Sequence, residues 1–331
     1  MLLRKFRETG PDIIVLIFII LLVVWLRAFI HPQLPSALGF DASPMPLFRL
    51  LMELTGNLPL ISVILGFLLV LLIAFLLVSL NTAVFFISER TFLPAAVYVL
   101  LSGFIPQVQV LNPALPATVF LILAIRKIMD SYKVQGTAFT FFDAGLLISI
   151  GSLFYVSFIW FGLLLVIGIL ILRPVNFKEI IISCIGLATP WFITIGFLYV
   201  AGGDVKSLLS GISYNLFGWD ANSHINWIVI TGLGITGLIF LLCTLYLLSA
   251  INMKRIKSRK TFVLLIWIFV ISVVIYLIFK PVSLEVFWIG AVPVSYILTH
   301  YFVFKRERLL PEIYFTALFI LVALIQVLTK Y

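Results

Sequence analysis

Thirteen carboxylates, three histidines and two cysteines are the side chains here most able to bind a metal or move a proton, and their spacing excludes most familiar chemistries. His31, His224 and His300 are scattered with no i,i+4 pair, whereas a metal site wants clustered His, Cys or carboxylate ligands. Neither a four-histidine iron centre nor a membrane di-iron hydroxylase fits that pattern, and no metal site is expected from it. Cys184 and Cys243 lie inside apolar runs, too deep for a disulfide framework and too few for a cluster. A Gly-rich phosphate loop is absent, as is a G-x-S-x-G serine motif. What remains is a thin set of ionisable residues beside apolar runs: Arg27, His31, Asp41, Arg49, Glu53, Asp204, Lys206, Asp220, His224, Lys280 and Glu285. Charge near hydrocarbon is costly, so an acid or base inside or beside a span is first read as functional. The plainer accounts are snorkelling or a mutual ion pair for Arg27 and Glu285, a turn-starting role for Asp41, a solvated helix face for Arg49 and Glu53, an interfacial place for His224 and a helix-start charge for Asp143.

These residues are scarce because the chain is built for lipid. Of its residues 63% are apolar and 11% charged, against roughly 45–50% and about 25% in soluble domains. The composition predicts an all-α, polytopic integral membrane protein, with a single membrane domain over residues 1–331. Its net charge of +9 sits in short clusters between apolar runs, which argues for contact with membrane lipid and against nucleic acid. At about 20 residues per crossing, spans are expected near 12–30, 58–81, 92–108, 113–126, 142–156, 158–172, 179–201, 227–251, 261–279, 282–302 and 312–329, about eleven in all. The block 142–172 is short for two crossings, leaving a choice between two full spans and a re-entrant hairpin. Lys133 before it and Arg173 after it favour an even number. A cytoplasmic N-terminus leaves only Arg27, Arg49, Lys206, Lys280 and Lys330 of the 22 Lys and Arg outside. The positive-inside rule therefore predicts a membrane protein with its N-terminus in the cytoplasm and its C-terminus outside. The basic start MLLRKFRETGPD and its long apolar run read as a retained first span, not a signal peptide. INMKRIKSRKT reads as a topology anchor on anionic headgroups.

Two outer connections, 31–57 and 202–226, are longer than turns. In the first, Ser43 can cap a helix whose first turn holds Pro44 and Pro46. Leu47, Phe48, Leu51, Leu54 and Thr55 then share one face, opposite Arg49 and Glu53. In the second, Val205, Leu208, Leu209, Ile212 and Leu216 recur at helical spacing before the polar turn GWDANSHIN. Both are expected as interfacial amphipathic helices on the outer side, polar edges facing each other or water. Pro190 and Pro293 predict kinks within spans.

The layout runs from a basic start through a first span, an outer loop with an acid in GFDASP and a surface helix to many hydrophobic segments on short turns. It resembles the membrane core of the GT-C superfamily of integral-membrane glycosyltransferases, which take sugar from a polyprenyl-phosphate carrier. The stretch ERTFLPAAVYVLLSGFIPQVQVLNPALPATVFLILAIRKIMDSYK, Glu89 to Lys133, is similar to their middle spans, where a proline-containing outer turn joins two basic-edged helices. The resemblance is one of layout over residues 1–200, while residues 201–331 add the second outer connection and the C-terminal spans. The chain is also similar to uncharacterised bacterial inner-membrane proteins of its length. The resemblance implies that Asp41 is the catalytic acid, acting as general base on an acceptor hydroxyl or orienting the donor and a divalent cation. A carboxylate at a lipid–water boundary is desolvated, which suits a base near neutral pH. It also implies that Arg27, Arg49 or Lys206 holds the lipid phosphate, because cations stabilise charge on the leaving group. Asp220 and His224 join them as substrate-binding residues. GFDASP offers one acid where many such enzymes show a pair. That motivates a second expectation: a non-enzymatic membrane subunit of a larger envelope complex, or a lipid-carrier transporter. A transporter would show mid-membrane acids or an internal repeat, and neither is found, so the subunit ranks higher.

Overall fold

The computed structural model describes residues 2–7, 10–35, 40, 43–56, 58–132, 138–172, 177–218, 226–305, 307 and 309–329. Every regular element among them is helical. A short α1 (Leu2–Arg7) precedes α2 (Pro11–Ile30), and α3 (Pro46–Thr55) leads into α4 (Pro59–Val84). Next come α5 (Leu93–Leu101), α6 (Ala114–Asp130), α7 (Ala138–Ser152) and α8 (Leu163–Leu172). Then follow α9 (Phe177–Val200), α10 (Val205–Phe217), α11 (Trp227–Ala250), α12 (Ile256–Ile278), α13 (Val286–Phe304) and α14 (Leu309–Leu328). Seven of these, α2, α4, α9, α11, α12, α13 and α14, are long and apolar enough to cross a membrane. By that measure the chain is a multi-pass membrane protein. Hydrocarbon offers no partner for backbone N–H and C=O, so such runs fold as helices, which satisfy their own. Proline occupies the first turn of α2, α3, α4 and α5, where its missing N–H is not needed.

The other four expected spans are shorter. The 92–108 segment is the nine-residue α5 followed by a single 3-10 turn at Pro106–Val108, and 113–126 falls in the seventeen-residue α6. Between them the backbone leaves the helix where protein buries it. Side chains take up the freed carbonyls: Gln109 Nε2 donates to Val24 and Ser102, and Asn112 Nδ2 to Val108 and Val110. The turn packs on the first turn of α4, where Leu111 N–H donates to the Ser62 carbonyl at 3.1 Å. Within 142–172, α7 stops at Ser152, and the return limb starts as a 3-10 stretch at Val156–Gly162 before α8. The two limbs are 15 and 17 residues long.

Burial ranks the helices. Of the spanning window of α13, 83% is buried, against 17% for α9. α13 is therefore the central post, with α5, α6, α11, α12 and α14 around it, and α9 lies at the rim. The close fit of α9 on α7 depends on glycines. A Cβ on Gly186 would sit 2.4 Å from the Phe142 carbonyl oxygen, and one on Gly145 2.6 Å from that of Ser183.

One end of the bundle is knitted by cations. Arg7 donates from its guanidinium to the Phe302 carbonyl, Lys260 Nζ donates to that of Leu172 at 3.1 Å, and Lys254 Nζ lies 3.8 Å from the centre of the Phe304 ring. The other end carries α3 and α10.

One local expectation is corrected. α3 starts at Pro46 with Met45 as its N-terminal flank, so Ser43 and Pro44 lie outside it. The residue before a proline is pushed to extended backbone, and Met45 is extended at φ −66°, ψ 156°. Along the apolar faces of α3 and α10 burial against the chain itself is uneven. Phe48 and Thr55 are buried, but Leu54 is 78% exposed, and Leu209 of α10 is half exposed.

Candidate functional site

α3 and α10 are brought together by one asparagine. The buried Asn215 accepts from the Ser43 backbone N–H (3.3 Å) and donates to the Ser43 carbonyl (2.7 Å). A buried amide satisfied in both directions by one backbone residue fixes the first outer connection against the second. Gly211, one turn earlier on α10, makes room: a Cβ there would stand 2.3 Å from Ser43 Oγ. On the other side Leu47 N–H donates to the Leu153 carbonyl, tying the start of α3 to the end of α7.

Arg49 and Glu53 project from the exposed face of α3 and line a groove of about 330 Å³ with Met52, Pro35 and Pro44. Lys206 stands exposed in the first turn of α10. The nearby Asp204 is engaged as that helix's cap, its carboxylate accepting from the N–H groups of Lys206 and Ser207. Asp41, Asp220 and His224 lie outside the described residues.

Arg27 is brought elsewhere. It lines a separate groove of about 840 Å³ with His31, Gln33 and Gln326. Its Nη1 donates to the Gln326 carbonyl at 2.6 Å, in the last turn of α14, where carbonyls lack helical partners and a cation is favourable. The Gln326 amide donates in turn to Gly103 and to Gln109 Oε1. Ser102, next to Gly103, accepts from the buried Trp25 indole at 3.1 Å.

Glu285 forms no ion pair with Arg27. It lies one residue ahead of α13, fully buried, and accepts from Tyr155 O–H (3.1 Å), Ser283 N–H (3.0 Å) and Ser283 O–H. Burial raises its pKa, and the hydrogen bonds from Ser283 and Tyr155 oppose that rise. Asp143 pairs with Lys127 at 2.8 Å, and both are about half exposed.

Tyr155, Asn215, Gln109 and Gln326 were not singled out from the sequence. Each is a neutral polar residue in or beside an apolar segment, and only the proline at 106, which cannot continue a helix, hints that nearby carbonyls need such partners.

Among the described residues no group of three or more His, Cys, Asp or Glu side chains gathers to hold a metal. Asp204 caps α10 through one carboxylate oxygen, and Glu285 is engaged by Tyr155 and Ser283. A comparison with protein families, characterised proteins and solved structures returned no match to this chain.

Proposed function

We propose that the chain is a GT-C-like glycosyltransferase of a bacterial inner membrane, moving sugar from a polyprenyl-phosphate carrier to an acceptor at the outer leaflet. The observation that carries the reading is the Asn215–Ser43 pair, which fastens the first outer connection, two residues from Asp41 in sequence, to α10. In this reading Asp41 takes the proton of an acceptor hydroxyl as its oxygen attacks the sugar's anomeric carbon. The carbon–oxygen bond to the carrier phosphate breaks, and Arg49 and Lys206 receive the leaving phosphate. No step is routed through a metal. The frame for this site is eleven crossings, with α5–α6 and α7–α8 as two short hairpins and the cation-knitted end in the cytoplasm.

The test is transfer of labelled sugar from a polyprenyl-phosphate donor in membranes carrying wild type or Asp41→Asn. Loss of general-base help lowers the rate about 10²–10⁴-fold. Unchanged transfer at equal expression removes Asp41 from catalysis.

A second reading has its own support. The Glu285 carboxylate is buried and engaged by Tyr155 and Ser283, and GFDASP offers one acid and no pair, which favours a non-enzymatic subunit of an envelope complex. That role predicts a membrane partner that co-purifies with wild type and with Asp41→Asn alike.

A further inference from the structure

The groove beside Arg27 has the layout of a lipid. Val23, Leu26 and Ile30 form its apolar wall and Arg27 and His31 its polar mouth; the first three and Arg27 stand on one stripe of α2 at i, i+3, i+4 and i+7 spacing, and His31 follows its last residue. The apolar stripe continues below the groove through Ile19 and Val15, with exposures from 48% at Ile19 to 66% at Val23. From Val15 to Arg27 the helix rises about 18 Å at 1.5 Å per residue, more than the roughly 15 Å of one hydrocarbon leaflet. A headgroup at Arg27 therefore leaves its chain a full leaflet of apolar track.

The cation is also braced, which snorkelling alone does not need. Arg27 rests on the Gln326 carbonyl, and the Gln326 side chain is held by Gly103 and by Gln109. Gln109 is itself tied back to Val24 of α2. The bracing runs through three elements and fixes a guanidinium, the side chain best matched to phosphate oxygens. The volume of about 840 Å³ is of the order of ligand sites.

We infer that the groove between α2 and α14 binds one anionic glycerophospholipid, with its phosphate on Arg27 and His31 and one acyl chain along α2. The site is separate from the Arg49 groove and does not depend on any transferase activity.

Detergent-purified protein titrated with phosphatidylglycerol and followed by native mass spectrometry tests it, with phosphatidylcholine and glycerol 3-phosphate as comparators. One phosphatidylglycerol binds to wild type, and Arg27→Gln weakens it about tenfold, while Arg27→Lys weakens it less. Phosphatidylcholine binds more weakly, and glycerol 3-phosphate, which has no chain, fails to bind. A second variant, Ile30→Trp, fills the groove from its apolar side with the Arg27–Gln326 bond intact. It melts like wild type without lipid yet loses phosphatidylglycerol. Equal affinity across wild type and both Arg27→Gln and Ile30→Trp overturns the site. So does phosphatidylcholine binding as tightly as phosphatidylglycerol, or glycerol 3-phosphate binding as tightly as the lipid.

Discussion

Glu285 is where one side chain's chemistry is most constrained. Its carboxyl is fully buried, one residue ahead of α13, and receives donors from Ser283 and Tyr155. An acid whose pKa is raised by folding keeps its proton at pH values where the unfolded chain, ionising near the ordinary 4.5, has lost it. Stability therefore falls as pH rises above that value, until the native carboxyl ionises as well. Replacing Glu285 by Gln removes this slope, because the amide has no proton to lose. It keeps an acceptor for Tyr155, so melting of Glu285→Gln lacks the decline that wild type shows as pH rises above 4.5. Glu285→Ala leaves the Tyr155 hydroxyl buried without its acceptor and costs about 1–3 kcal/mol. A wild-type melting curve that rises with pH across the same range would show that the hydrogen bonds outweigh burial at this site.

At the scale of elements, close approach of backbones decides the packing. α7 and α9 touch where Gly145 and Gly186 face carbonyl oxygens of the opposite helix. Between lipid-embedded helices there is little hydrophobic force, so small residues that let backbones approach supply much of the contact. Gly186→Leu pushes a side chain into the Phe142 carbonyl, and overpacking of this kind costs about 1–3 kcal/mol. Since α9 is the least buried of the spanning helices, the expected outcome is its release from α7. It would be seen as lower thermal stability in detergent and as loss of a disulfide engineered between α7 and α9. Gly196, which meets nothing within 4 Å, is the control, and Gly196→Leu leaves both readouts unchanged.

For the whole molecule, the two ends differ in charge and in how they are closed, and labelling can separate them. With Cys184 and Cys243 replaced, single cysteines at Lys254 and at Asp204 react with an impermeant thiol reagent from opposite faces of sealed vesicles. Labelling of both from one face would dismantle the arrangement in which α3, α10 and the Arg27 groove share one side. The helical architecture was legible in the sequence, because hydrocarbon imposes it locally. A run of apolar residues in lipid must close its own backbone hydrogen bonds, so the helices, the short turns and the amphipathic character of α3 and α10 follow from residue order alone. The pairing of Asn215 with Ser43, the bracing of Arg27 through Gln326 and Gln109, and the burial of Glu285 against Tyr155 join residues between 85 and 299 positions apart. No periodicity records them. Only the tertiary packing decides which polar side chains meet, because a buried donor or acceptor must find whichever partner the neighbouring segment brings within reach.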